Sequence, residues 1–354
     1  MVFNAIRNIY DHLHDDESRD IFTLRLAYSL SFDNKYINSM IEKVSYYSIQ
    51  NKKAPFRNNV LTLTNDKRLR AGKVVVYGIG EGCQNLLSFL DDIKTELNIV
   101  NYCDSNPASH GRIFKDRLVI SPIQLLKEHP DCSIIISSVL HQDEITHQLI
   151  SLGFKESQLF YREFNEETYF RPDVIEPMED ETYIDVGAYD GRTIKEFLKF
   201  CGRKYKKIIA LEPDESNYIQ CSKFLKRENV DRIDLIKKGA WSKQDTLSFS
   251  PSDWSSNVNT DGESMINVTT IDSLMGNSSA TTIKMDIEGA ELEALMGAKN
   301  TILKYKPRLL ISIYHKPSDI IDIPAFILQQ NNDYKLYLRH SRTDSPSDTV
   351  LYAI

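Results

Sequence analysis

Carboxylates, glycines and one histidine in the second half of the chain stand where short apolar runs end. At 182–193 the sequence TYIDVGAYDGRT is apolar up to Val186 and breaks at Gly187. After Gly191 it resumes with the helical spacing of Ile194, Phe197 and Leu198. A strand that enters a helix through a glycine loop brings backbone N–H groups and the positive end of a helix to bear on a ligand. The spacing is Asp185-x-Gly187-x-x-x-Gly191, with Tyr189 where a dinucleotide turn would place its next glycine. With a carboxylate at the strand end and Ala188 beyond the glycine, the loop suits a zwitterionic amino-acid group better than a pyrophosphate. The methionine part of S-adenosylmethionine is such a group.

Further strand ends carry the remaining candidates. Glu212, followed by Pro213 and Asp214, offers a carboxylate that can accept two hydrogen bonds from a ribose diol, while Asp214 is the better helix cap. Gly239 and Ala240 are small enough for an adenine ring to lie along the backbone, and Trp241 either stacks on that ring or fills the core. In IKMDIEGAELEALMGA, Asp286 and Glu288 flank a strand end and Gly289 begins the turn into a helix. Carboxylates set so close to a crevice are costly unless they pair, hydrogen-bond or hold something. His315, in SIYHKP, closes another strand, where an imidazole of ordinary pKa would serve as a general base. Asp286 and Glu288 could hold a divalent cation, but the sequence shows no complete ligand set and predicts no metal.

The elements that must position these residues follow from periodicity. Strands are expected at 183–186, 207–211, 232–237, 282–285 and 308–314, with helices at 192–200, 214–227, 291–299 and 319–330. Two last strands, 334–338 and 349–353, have no helix between them and form an antiparallel hairpin at one edge of an otherwise parallel sheet. A polar excursion holding Leu247, Phe249 and Val268 adds a second hairpin. Ligands of open α/β sheets sit at the carboxyl ends of the strands where strand order reverses, so the candidates above share one crevice.

Upstream, 163–181 is acidic, contains Pro172 and Pro177, and reads as a linker. Before it, 66–162 reads as a smaller Rossmann-like α/β domain. There Val74–Tyr77 runs into Gly78-x-Gly80, and a later strand ends at Asp104, a residue placed for a ribose hydroxyl. Cys83 takes the third glycine position, and no Tyr-x-x-x-Lys pair accompanies it. Nucleotide binding by Gly78, Gly80 and Asp104 thus stands beside a purely structural role. Residues 1–65 are helical, capped near Asp15, Asp16 or Ser18, and form an extension that packs on a neighbour or makes a homodimer.

The whole chain bounds these readings. Its 354 residues, 41% hydrophobic and 26% charged, suffice for more than one core. A net charge of −7 argues against a broad nucleic-acid footprint. Five scattered cysteines without a C-x-x-C pair, no apolar run of membrane-spanning length and an early acidic N-terminus predict a cytoplasmic protein with reduced thiols.

DVGAYDGRT, ALEPD, KKGAW, VTTIDSL, KMDIEGAE and YHKPSDI…DYKLYLRH…DTVLYA together resemble the FkbM family of S-adenosylmethionine-dependent methyltransferases, over roughly 180–354. The resemblance implies a class I methyltransferase fold, a seven-stranded Rossmann-like sheet with a terminal antiparallel hairpin. It also implies O-methylation, often of sugar hydroxyls, and cofactor contacts at Asp185, Gly187, Ala188, Glu212, Ala240 and Asp286. Many members carry an acidic residue near the end of the fifth strand where this chain has His315, which leaves the base open between His315 and Asp286. The region before residue 163 resembles Rossmann-like domains found beside glycan-modifying enzymes, so a sugar, nucleotide-sugar or glycan is the expected acceptor. The rivals are an NAD(P)-dependent oxidoreductase centred on Gly78-x-Gly80 and a scaffold that binds nucleotide or S-adenosylmethionine without turnover.

Overall fold

The computed structural model describes residues 2–50, 67–92, 96–138, 141–161, 168–249, 264–341 and 347–354. The chain forms two compact units, one of residues 55–165 and one that joins 1–54 to 166–354. Among the described residues no helix is long and apolar enough to cross a membrane.

The N-terminal helices are α1 (Val2–His12), α2 (Asp16–Ser31) and α3 (Asn34–Gln50). Asp15 is the α2 cap: extended in backbone, it accepts from the Ser18 N–H and hydroxyl at 2.8 and 2.5 Å. Ile9, Ile21, Phe22, Ile37 and Met40 are buried in the same core as the sheet residues Leu309, Ile311 and Leu336. These apolar positions are therefore covered within their own unit, while Phe3 and Leu30 stay exposed.

The smaller unit runs α4 (Lys67–Ala71), β1 (Val74–Tyr77), α5 (Glu81–Asp92), β2 (Ile99–Cys103), β3 (Ile113–Phe114), β4 (Arg117–Ile120), α6 (Pro122–Glu128), β5 (Ser133–Ile136), α7 (Gln142–Leu152) and β6 (Leu159–Tyr161). Its sheet has the order β3-β4-β2-β1-β5-β6, parallel except for the short β3–β4 pair. Both faces are covered, which is why β1 is apolar throughout: Val74 and Val76 join Leu86 and Leu90, while Val75 and Tyr77 join Ile145 and Leu149.

The larger unit continues with β7 (Thr182–Val186), α8 (Arg192–Phe200), β8 (Lys207–Leu211), α9 (Glu215–Arg227), β9 (Ile233–Ile236), β10 (Gly239–Ala240), β11 (Asp245–Phe249), β12 (Ser264–Thr269), α10 (Ile271–Met275), β13 (Thr282–Met285), α11 (Glu291–Met296), α12 (Lys299–Tyr305), β14 (Arg308–Ser312), α13 (Asp319–Gln330), β15 (Leu336–His340) and β16 (Thr349–Ala353). Its main sheet has the order β15-β16-β14-β13-β7-β8-β9, with β16 antiparallel to both neighbours and β9 to β14 mutually parallel. This is the class I methyltransferase arrangement. The excursion after β10 builds a separate three-stranded sheet, β10-β12-β11.

Period-two alternation sorts the main strands between two cores. Ile184, Val186, Leu309 and Ile311 face one, while Tyr183 and Leu310 face the other with Phe197, Phe224 and Tyr352. Tyr169, Phe170 and Ile175, from the stretch read as a linker, are buried in that second core. Its two prolines and acidic surface hide this from a reading by composition. Strand order reverses between β7 and β13, and the candidate site lies at their carboxyl ends.

Candidate active site

The loop after β7 is held from below. Asp185 is fully buried; its Oδ2 accepts from the Thr193 hydroxyl at 2.5 Å and its Oδ1 lies 3.1 Å from Lys284 Nζ. Lys284, itself 1% exposed, also donates to the Gly187 carbonyl at 2.7 Å. A buried lysine is costly unless paired, and here its charge is taken up by the strand end it fastens. Asp185 therefore fastens the loop to the sheet through Lys284, which reaches it from the neighbouring strand.

Gly187, at φ 82°, is the tightest point. A Cβ there would stand 2.0 Å from the Asp286 carbonyl oxygen, so the ends of β7 and β13 meet at a contact only glycine permits. The N–H groups of Gly187 and Ala188 both donate to the Leu211 carbonyl at 3.0 Å. Tyr189, at φ 51°, is half exposed, and Gly191 at φ 93° precedes α8. A Cβ on Gly191 would meet the Phe224 ring at 2.4 Å.

Glu212 closes the next strand, 5% exposed, with one oxygen accepting from the Tyr189 N–H at 2.8 Å and the other from the Asp214 N–H at 3.0 Å. Burial raises its pKa, and the two backbone donors do not fully offset that. Asp214 caps α9 by accepting from the Asn217 N–H at 2.9 Å, which leaves Glu212 at the crevice with Pro213 between them. Gly239 and buried Ala240 pair with β12, and the Trp241 N–H donates to the Thr269 carbonyl at 2.8 Å. The Trp241 carbonyl lies where a Cβ on Gly297 would be 2.0 Å away.

An acidic cluster forms beyond Gly187. Asp286 accepts from the Tyr169 hydroxyl at 2.8 Å on Oδ2 and from the Tyr314 hydroxyl at 3.1 Å on Oδ1. Burial pushes its carboxyl up, yet the charges of Lys284 and His315 and both tyrosines outweigh that and hold it below the ordinary value. His315, its side chain 6% exposed, has Nδ1 2.9 Å from Glu291 Oε1, and Nε2 3.4 Å from Asp286 Oδ1 and 3.3 Å from Glu288 Oε2. Burial alone would lower its pKa, but Glu291, Asp286 and Glu288 push it up to about 9. His315 thus departs from the imidazole of ordinary pKa that the sequence suggested, because three carboxylates surround it. Glu288 is half exposed and takes the left-handed conformation at φ 55°, a strained geometry for a residue with a side chain. Its pKa is raised by burial first; His315 opposes the shift and Asp286 and Glu291 add to it. Glu291 accepts from the Ile287 N–H at 2.8 Å.

Gly187, Glu212, Asp286, Glu288 and His315 are thus all found at consecutive carboxyl ends of one sheet. Lys284, Tyr169 and Tyr314 escaped the sequence reading. Lys284 carried a signal, a charge inside an otherwise apolar strand; Tyr169 stood out only as an aromatic anchor of 163–181, since its partner is 117 residues away. In the smaller unit Gly78 has φ 89° and donates to the Cys103 carbonyl at 2.7 Å, and Gly80 has open space where a Cβ would stand. Asp104 accepts from the Ile79 N–H at 3.2 Å and the Asn106 N–H at 2.8 Å, so both its oxygens serve the turn.

Solved structures similar to this chain include a methyltransferase FkbM from Methylobacillus flagellatus KT, 20% identical, covering 91% of this chain and 100% of that one with a TM-score of 0.46. An rRNA methylase from Streptococcus thermophilus is 12% identical over 53% of this chain and 91% of that one, with a TM-score of 0.34. Aeropyrum pernix fibrillarin, solved with natively bound S-adenosyl-L-methionine, is 11% identical over 50% and 67% of the two chains, with a TM-score of 0.33. No curated protein matches. Residues 70–160 match the family model described as C2185-like, N-terminal. Residues 185–336, which hold Asp185, Gly187, Glu212, Asp286, Glu288 and His315, match the family model described as the methyltransferase FkbM domain.

Proposed function

We propose that the larger unit binds S-adenosylmethionine along the carboxyl edge of its sheet and methylates a hydroxyl of a sugar or glycan-type acceptor. The observation that carries this reading is that the matched methyltransferase domain coincides with the strand ends where Gly187, Glu212 and Asp286 converge. The residues fit the cofactor's chemistry. Glu212 is an acceptor for a ribose diol, Gly239 and Ala240 leave a flat wall for a purine, and the acidic end at Asp286 and Glu288 suits a group bearing an ammonium and a sulfonium.

The cofactor supplies an electrophilic methyl group. A carbon–oxygen bond forms to the acceptor hydroxyl as the carbon–sulfur bond breaks, and the hydroxyl proton must leave. Asp286 and Glu288 orient the hydroxyl and receive that proton, His315 being already protonated near neutrality, and Tyr169 and Tyr314 keep the Asp286 carboxylate in place. Holding two reactants in line contributes much of the remaining rate.

For the smaller unit we propose a grip on a nucleotide-linked acceptor at the Gly78–Gly80 turn, supported by the open space at Gly80. Ranking S-adenosylhomocysteine against NAD by thermal shift on the full chain tests the reading. S-adenosylhomocysteine should raise the melting temperature and NAD should leave it unchanged; the reverse order would favour the oxidoreductase.

A further inference from the structure

We propose that Asp286, Glu291 and His315 form a binding site for one divalent cation at the carboxyl edge of the main sheet. The three side chains come from separate elements, the end of β13, the first turn of α11 and the end of β14. One ligand atom from each lies within 4.8 Å of the other two. Bonds of about 2.0–2.2 Å to a shared ion place neighbouring ligand atoms about 3–4 Å apart.

Proximity of acidic groups would not by itself make a site. The distinguishing observation is that buried polar atoms here lack hydrogen bonds. Glu291 is 1% exposed and its Oε2 has no hydrogen-bond partner; the same holds for both ring nitrogens of His315. Yet Nδ1 stands 2.9 Å from Glu291 Oε1, and Nε2 3.4 Å from Asp286 Oδ1. These contacts have the distance of hydrogen bonds without the direction. The two ring nitrogens face opposite ways, so one ion takes a single nitrogen, with Glu291 Oε2 as a further buried ligand atom that has no hydrogen bond.

Charge favours the same occupant. Asp286, Glu291 and the neighbouring Glu288 surround a single imidazole, and a divalent cation balances more of that negative charge than a proton on the ring can. Outer contacts are also in place: Tyr169 and Tyr314 donate to Asp286, and the Ile287 N–H donates to Glu291. Glu288, half exposed beside Nε2, marks the side open to water or to a hydroxyl. Two carboxylates and an imidazole suit a first-row ion such as manganese or zinc. Any catalytic use of the ion, as a Lewis acid on the acceptor hydroxyl, rests on the methyl-transfer reading; its binding does not.

The test is titration of Mn2+ into the EDTA-treated full-length protein, followed by electron paramagnetic resonance. We expect one saturable site per chain, echo modulation from a coordinated imidazole nitrogen, and at least tenfold weaker binding in Glu291→Gln and in His315→Gln. No saturable binding up to millimolar Mn2+ in the folded wild-type protein would overturn the proposal. So would an all-oxygen coordination shell, a reading that needs no variant to fold. Unchanged affinity in both folded variants would also overturn it. Binding of S-adenosylhomocysteine, measured by calorimetry on the same samples, separates failure of the cation site from failure of the methyl-transfer reading.

Discussion

Gly187 is the residue on which the loop geometry turns. At φ 82°, with the Asp286 carbonyl 2.0 Å from where a Cβ would stand, alanine is excluded both by conformation and by backbone contact. Relief requires β7 and β13 to separate at the crevice. Gly187→Ala should therefore weaken S-adenosylhomocysteine binding at least tenfold by calorimetry; unchanged affinity would show that the loop does not shape the cofactor site. Gly187, Glu212 and Asp286 were legible in the sequence because each follows an apolar strand run, and strand ends of a parallel sheet converge. The surroundings of Asp185 and His315 were not legible. Their chemistry is set by Lys284 on a neighbouring strand and by three carboxylates around one ring, and neither arrangement has a fixed spacing along the chain.

Elements were legible where period and punctuation agree, as in β7, β8, β13 and the terminal strands. A single helix over 291–299 was expected, and two shorter ones occur instead. Gly297 ends α11, and its lack of a side chain admits the Trp241 carbonyl, a long-range contact that local pattern does not report. The opposite end of the sheet carries a buried ion pair between Glu181 and Arg308, which begins β14. Glu181 also accepts from the Thr281 and Thr282 hydroxyls at 2.9 Å. Arg308→Leu would leave Glu181 buried without its counter-charge and should cost about 3–5 kcal/mol in urea unfolding. The double replacement Glu181→Met with Arg308→Leu should recover most of that loss, because no lone charge remains.

At the scale of the larger unit, the N-terminal helices and residues 168–181 are tied to edge strand β15 through Arg339. It donates to Asp15 Oδ2 at 2.7 Å and to Asp173 Oδ2 at 2.9 Å, and Arg171 donates to Asp173 Oδ1 at 2.9 Å. Burial pushes the Asp173 carboxyl up, but the two guanidinium groups outweigh it and hold the pKa below its ordinary value. A depressed folded pKa gives stability that is fully present above the unfolded value of about 3.9 and is lost as pH falls through the folded one. The stability gap between the wild type and Asp173→Asn should accordingly be constant near neutrality and narrow below about pH 4. A gap independent of pH would remove this network from the acid response. Its members lie far apart in sequence, which is why 163–181 read as a linker and 1–65 as an extension that packs on a neighbour or makes a homodimer.

Methyl transfer from S-adenosylmethionine to a sugar-type hydroxyl is tested by incubating the protein with tritiated-methyl cofactor and a cell's nucleotide-sugar and glycan pool. Label should appear in a sugar-containing product, stable as a methyl ether, and should be lost with Asp286→Ala. Absence of transfer to any sugar-containing fraction by protein that binds the cofactor would contradict it.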